Sequence, residues 1–194
     1  MTPSDISTAS LREIQDRLAI QDLLYHYAEL VDTGQCQRIA REIFAPDGVA
    51  EFGPAQVAGF EQLHDFYLNS PLFTKFPQDM DGFRHDITNV RIRFDAPDRA
   101  QSIARVTAWC WHKIARAGGK TRAADLVITG VYRDNLVHLP EGWRISRRRG
   151  GQFGTGVGAG RAPAGMEDLL AGMLGRIPSW DDDWIDTPFL NYPN

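Results

Sequence analysis

The chain has 194 residues, 43% hydrophobic and 24% charged, which suits one core with an appendage and rules out wholesale disorder. Its formal charge of -4 gives no global basic field for nucleic acid or an anionic membrane, and no run approaches the ~20 apolar residues of a membrane span. Cys36 and Cys110 are too few for a disulfide framework or a thiolate cage, and the polar start lacks the regions of a signal peptide, so a soluble cytoplasmic protein is expected.

Leu11, Ile14, Leu18, Leu24, Tyr27, Leu30 and Val31 recur mostly at three- and four-residue steps, predicting a helix over 10–31 with one buried face. Ser10 with Glu13 forms a capping-box pattern, and Gly34 supplies the stop. A second short helix is expected over 36–44, ending at the turn Ala45-Pro46-Asp47-Gly48. A strand over 49–52 and a third helix over 59–68 follow, then a loop over 69–82 that contains Pro71 and Pro77. Beyond it, 83–94, 100–117, 123–139 and 142–149 are rich in β-branched and aromatic residues and are separated by good turn sequences. Short connections favour antiparallel neighbours, so the plan is α+β: a curved sheet with helices on one side. Residues 1–150 make this domain. Residues 151–194 are expected to be an appendage: a glycine-rich connector to 165, a short helix over 166–174 and an aromatic, acidic tail over 179–194. Trp180, Trp184, Phe189 and Tyr192 are costly to leave in water, so the tail is expected to pack on the domain or on a neighbouring subunit.

Asp32 falls at the end of the first helix, where a negative charge opposes the helix dipole. His85 sits in the first long strand, a position open both to a hydrogen-bonded structural histidine and to a catalytic base. Tyr27 precedes Asp32 by five residues, nearly one and a half turns, so the two can flank one cavity; a core tyrosine with its hydroxyl satisfied is the other reading. His112 shares a strand face with Cys110 and Ala108 under strict alternation. His26, His64 and His138 show no metal-ligand spacing, and neither a HExxH nor a Cys-x-x-Cys motif occurs, so no metal site is expected.

Two patterns mislead. The run Gly154-Thr155-Gly156-Val157-Gly158 has neither the register nor the βαβ context of a dinucleotide loop and is better read as a linker. Arg144, Arg147, Arg148 and Arg149 look like a nucleic-acid patch, yet strand alternation divides them between a surface face and one or two buried or pocket-facing positions.

The stretch Arg17-Leu18-Ala19-Ile20-Gln21-Asp22-Leu23-Leu24-Tyr25-His26-Tyr27-Ala28-Glu29-Leu30-Val31-Asp32 resembles the opening helix of the SnoaL-like branch of the nuclear transport factor 2-like superfamily. Phe44-Ala45-Pro46-Asp47-Gly48-Val49 is similar to that family's turn into its first strand. His85 with Ile87, Asn89 and Val90 resembles its histidine strand, and Gly130-Val131-Tyr132-Arg133-Asp134 with Gly142-Trp143-Arg144-Ile145 resembles its last two strands. The resemblance covers about residues 10–150 and implies a cone-shaped α+β barrel of the cystatin-like kind, a strongly bent antiparallel sheet with three N-terminal helices around a pocket. Members include scytalone dehydratase, hexachlorocyclohexane dehydrochlorinase, bile-acid 7-alpha-dehydratase, isomerases, polyketide cyclases and non-catalytic modules. In the eliminating members, an aspartate and a histidine at positions matching Asp32 and His85 form the catalytic pair, and the bile-acid enzyme has a tyrosine spaced as Tyr27 is.

The resemblance also shows departures. Val31 and Phe52 stand where scytalone dehydratase has its water-holding tyrosines, Gly130 and Tyr132 fall near its serine and asparagine, and Cys110 falls near the bile-acid enzyme's second acid. The implied reaction is therefore a dehydratase-type elimination, with neither metal nor organic cofactor, on a different small hydrophobic, ring-containing hydroxy compound. Asp32 would orient His85 as base, Tyr27 or His112 would donate to the leaving oxygen, and Phe52, Trp109, Trp111, His112 and Tyr132 would bind substrate. Release of formaldehyde by carbon–carbon cleavage, isomerisation, ring closure, and a non-catalytic binding module or enzyme subunit are the alternatives. Family members commonly associate through the outer sheet face, so a homo-oligomer is expected, a trimer before a dimer.

Overall fold

The computed structural model describes residues 8–52, 55–70, 73, 80–112 and 126–157. The expected helix over 166–174, the tail over 179–194, most of the loop after residue 70 and the turn at Gly118-Gly119-Lys120 lie outside the described residues. Three helices, α1 (Thr8–Asp32), α2 (Ile39–Glu42) and α3 (Gly59–Asn69), precede and interleave with six strands. The strands are β1 (Phe44–Phe52), β2 (Ala55–Ala58), β3 (Met80–Ala96), β4 (Arg99–His112), β5 (Leu126–Leu139) and β6 (Gly142–Val157). They form one curled sheet in the order β2-β1-β6-β5-β4-β3, which is not closed into a barrel among the described residues.

Neighbours joined by turns are antiparallel, as the short connections require, but β1 runs parallel to β6, which makes the sheet mixed. Turn length does not constrain that pair, because most of the chain separates its members. The second helix divides into a 3-10 turn, Cys36–Arg38, and the single turn of α2. The Ala45-Pro46-Asp47-Gly48 turn becomes an irregularity within β1, where the register with β6 shifts between Phe44 and Val49. A side chain at Gly48 would come within 2.9 Å of the Ala45 carbonyl oxygen, so only hydrogen fits there. The edge strand β2 was not expected from the sequence. Nor was the length of β6: residues 150–157, read as connector, pair with β5 from Tyr132 back to Leu126.

Helix α1 begins at Thr8, before the expected cap at Ser10, and ends where Gly34 takes φ +71°. Its buried face is not the whole of the apolar set the periodicity suggests. Ile20, Leu24, Tyr27 and Leu30 are buried, whereas Leu11, Ile14 and Leu18 are half exposed or more, because a turn of about 100° per residue puts them, with Tyr25, on the opposite side of the helix. Two polar contacts fix its tilt. Asp16 accepts the indole N–H of Trp143 at 2.9 Å, and Arg17 donates to the Ile92 carbonyl at 2.9 Å with its guanidinium over Phe94. The core fills the concave side of the sheet beneath α1 and α3, where β4 contributes small residues, Ala100, Ala104, Val106 and Ala108, and leaves room for the rings of Tyr27, Tyr67 and Phe44.

Candidate active site

Asp32 is the last residue of α1. A carboxylate there opposes the helix dipole and therefore needs donors from elsewhere. Strand β3 supplies them from a single residue. The backbone N–H of His85 donates to Oδ2 at 2.7 Å, and the ring Nδ1 lies 2.6 Å from Oδ1. A carboxylate only accepts, so Nδ1 carries the hydrogen and the neutral ring keeps its basic lone pair on Nε2. The two side chains are 19% and 8% exposed, partly withdrawn from water yet not sealed. Cys110 lies close by on β4, and burial, followed by the negative charge of Asp32, pushes its thiol up to about 12. It stays protonated at neutral pH and offers no thiolate chemistry.

Strand register sorts the other candidates. His85 pairs with Ala108, so Ala108, Cys110 and the core-facing Val106 mark the inner face. Trp109 lies on the outer face, opposite the pair, where its indole N–H donates to Asp86 at 2.6 Å and Arg84 sits 5.6 Å from its ring. Alternation puts Trp111 on the same outer face. The expectation that both tryptophans line the pocket is thereby corrected: the small residues of β4 point inward and the large ones outward. His112 closes β4 on the Cys110 side by alternation; its side chain lies outside the described residues.

Tyr27, Phe52 and Tyr132 come together in an inner aromatic group. Tyr27 meets Tyr67 and Tyr132 edge-on at 6.2 and 5.8 Å, and Phe52 stacks on Phe66 at 6.0 Å and meets Tyr132 at 6.3 Å. Through this group runs a side chain that sequence reasoning did not single out. Arg148 is fully buried, 4.2 Å from the centre of the Tyr27 ring and 4.5 Å from that of Tyr132. Its Nε and Nη2 donate in parallel to the two oxygens of Asp134, both at 2.8 Å, while Nη1 has no hydrogen-bond partner among the described residues. Burial alone would lower the guanidinium pKa, but the Asp134 carboxylate outweighs it and the net direction is up, so the charge is permanent. Burial, then the neighbouring Tyr67, raises Tyr27 well above the usual phenol value despite Arg148, so its hydroxyl stays protonated. The arginine run held the signal for Arg148, but not which of its members turns inward.

The described site thus has two parts on one helix. The Asp32–His85 pair lies at the end of α1, and Tyr27 lies one and a half turns earlier against Arg148. Among the described residues no cluster of His, Cys, Asp and Glu is arranged to hold a metal ion.

The sequence that folds into this helix-covered, curled sheet matches the SnoaL-like domain family. The chain belongs to that family, whose SnoaL-like domain matches residues 12–149. An uncharacterized protein of Mycobacterium tuberculosis (strain H37Rv) is 31% identical over 147 residues, which covers 74% of this chain and 90% of that one. Solved structures share the fold. A LinA-type3 hexachlorocyclohexane dehydrochlorinase from Novosphingobium barchaimii superposes with a TM-score of 0.61 at 22% identity, over 79% of this chain and 97% of that one. An NTF2-like protein with a cystatin-like fold from Novosphingobium aromaticivorans gives 0.62 at 20% identity, over 88% and 98%.

Proposed function

We propose that the chain is a lyase that catalyses a dehydratase-type elimination on a small hydrophobic, ring-containing hydroxy compound, with protein side chains moving the protons. The observation that carries this reading is the double hydrogen bond of Asp32 to His85, which fixes the tautomer, the ring plane and the backbone of the histidine at once. Family membership and a fold shared with a dehydrochlorinase support an enzyme of the lyase or isomerase type.

His85 Nε2 takes a proton from the carbon beside the hydroxyl-bearing carbon, and Asp32 stabilises the imidazolium that results. The C–H electron pair becomes the new double bond, and the C–O bond breaks. The imidazolium returns its proton to the departing oxygen, so the net loss is one water. Tyr27, kept neutral by burial, donates a hydrogen bond to that oxygen and does not surrender its proton, and Arg148 beneath its ring holds the phenol in place. An aromatic wall of Phe52 and Tyr132 suits a ring-containing substrate better than a sugar or a phosphate.

The test incubates the protein with a panel of aryl and alicyclic hydroxy compounds and follows product mass by chromatography, with His85→Gln and Asp32→Asn alongside. Loss of 18 mass units (about one water), abolished by both changes, is the expected result. Loss of formaldehyde, or conversion without mass change, replaces elimination by carbon–carbon cleavage or by isomerisation in the same site. Turnover indifferent to both substitutions removes the pair from the chemistry. Binding without turnover by every variant makes the chain a binding module.

A further inference from the structure

Helix α1 buries one side against the sheet and leaves an apolar stripe in water on the other. Leu11, Ile14, Leu18 and Tyr25 are between 47% and 61% exposed, and among the described residues they are the exposed large apolar side chains. At about 100° per residue their directions fall within about 60° of one another, so they line up along one side of the helix. Their steps of three, four and seven residues are those of a seam between two helices. Leu18, Ala19, Gln21, Asp22 and Tyr25 line a shallow groove on this side, which can take up a side chain. A contiguous stripe of this kind, on a helix whose opposite side already makes the core, marks a contact surface.

The polar residues beside the stripe identify its occupant. One flank carries Arg12 and Gln15 in its N-terminal half and Asp22 and Glu29 in its C-terminal half, all exposed. Arg12 keeps a loose ion pair with Asp16 at 3.8 Å, and the Asp22 carboxylate is in no ion pair among the described residues. The flank is therefore complementary to its own reverse. Leu11 and Tyr25 stand seven residues on either side of Leu18, so a two-fold axis close to Leu18 lays two copies of α1 antiparallel, with Leu11 of each toward Tyr25 of the other. Along the helix, that axis brings Gln15 and the long side chain of Arg12 to within ~3 Å of the level of the partner's Asp22, twice over. A parallel pair would set the two acidic halves together. The chain has another segment with apolar residues at helical spacing, Met166, Leu169, Leu170, Met173, Leu174 and Ile177. It would enter from Val157, which pairs with Leu126 and through it with Cys110, beside Asp32 at the end of α1. Running back along α1 from there, its Glu167 and Asp168 would meet Glu29 and Asp22, like charge on like. A second copy carries no such conflict.

We propose that the outward stripe of α1 is a self-association surface, on which a second copy of this chain docks through its own α1, antiparallel about a two-fold axis near Leu18. A single helix pair buries less than the ~1,200 Å² at which standard interfaces begin, so the association is reversible and of micromolar order. Tyr27 points to the other side of the helix, so the contact leaves the inner site untouched.

The experiment follows the mass of the full-length protein by sedimentation velocity, from sub-micromolar to high micromolar concentration. The parent is compared with Leu18→Glu, Arg12→Glu, Asp22→Arg and the double variant Arg12→Glu with Asp22→Arg. All three positions are exposed, so the fold tolerates the changes, and circular dichroism checks that it does. The parent should show a concentration-dependent doubling of mass. Leu18→Glu removes an apolar contact from both copies at once and should raise the dissociation constant by about 100-fold or more. Each single charge reversal should raise it by about tenfold, and the double variant should restore it. Mild oxidation reads the direction: Leu18→Cys should cross-link to itself, and Arg12→Cys should link to Asp22→Cys in a mixture but not to itself. A doubling that Leu18→Glu leaves unchanged overturns the proposal, as does a double variant no better than its single members. Self-linking of Arg12→Cys overturns the antiparallel arrangement. A parent that stays monomeric throughout overturns the assignment to a second copy; if Leu18→Glu then speeds hydrogen exchange of residues 166–177, the stripe belongs to that segment, and if not, to a different protein.

Discussion

Two carboxylates on the inner side of this protein each hold a nitrogen base with two hydrogen bonds, in opposite surroundings. Asp134 grips Arg148 where both side chains have no exposed surface, with the guanidinium between two tyrosine rings. Asp32 grips His85 where 19% and 8% of the side chains remain exposed, at the junction of a helix end and a strand. The first pair joins two neighbouring strands of one hairpin and carries a charge that cannot be shed. The second joins distant parts of the chain and ends in an imidazole, whose ring nitrogens can accept and return a proton. Full burial with a permanent charge makes a structural clamp; the partly exposed pair that ends in an imidazole is the one we propose as catalytic.

The largest expected effect breaks the proposed catalytic pair. His85→Gln should lower turnover by about 10³-fold, and Asp32→Asn by about 10²- to 10⁴-fold, because the tautomer and the imidazolium both depend on the carboxylate. The same variants should keep the fold, which circular dichroism and urea melts can verify. Equal losses of activity and stability would make the second pair a clamp like the first.

The next effect breaks the structural clamp. Arg148→Met leaves Asp134 buried without its partner and should cost about 3–5 kcal/mol in urea unfolding. Replacing both members together, Arg148→Met with Asp134→Leu, should recover most of that loss, since two apolar side chains leave no charge to satisfy. A double variant as unstable as the single one would show that the cation between Tyr27 and Tyr132, more than the ion pair, holds this region together. A smaller effect comes from Gly150, whose added methyl would lie 2.5 Å from a carbon of the Phe52 ring. Gly150→Ala should cost about 1–3 kcal/mol by displacing that ring, and a neutral result would mean that the inner wall has slack.

The fold class, the three helices, the long strands and the Asp32–His85 pair could be read from the sequence, because helical periodicity, turn residues and a family-like order are local signals. The identity of the clamp could not, for a physical reason. Counting back from the hairpin at Pro140-Glu141, strict alternation puts Arg147 and Arg149 on the face of Trp143 and Ile145. A register irregularity between Asn135 and Leu136, with Ser146 as the additional residue, reverses the faces, so Arg148 turns inward instead. A second irregularity does the same in β3, where Asn89 takes φ +52° and the inward residues change from His85 and Ile87 to Ile92 and Phe94. One additional residue inverts a whole strand half, and nothing in the local composition announces it. The tryptophans of β4 illustrate the same limit: alternation puts them on the face opposite Cys110 but does not say which face is inside.

A third carboxylate completes the scale of burial. Glu42 accepts two hydrogen bonds from Arg38, at 2.6 and 2.8 Å, and lies 2.9 Å from His26 Nε2, with a third of its side chain in water. The Arg38 hydrogen bonds, then that of His26, hold its carboxyl at about 2, below the ordinary 4.5. A carboxyl depressed in the folded state stabilises above its unfolded pKa, so this contribution is complete above about pH 4.5 and is lost as pH falls toward 2. Solvent screening keeps it to about 1 kcal/mol or less. Glu42→Gln should therefore lower stability slightly at pH 7, and the difference from the parent should narrow as pH is lowered from about 5 and close toward pH 2, which urea melts at several pH values can measure. A gap that stays open at low pH would locate the cost in packing and not in charge, and would remove Glu42 from the series formed with Asp32 and Asp134.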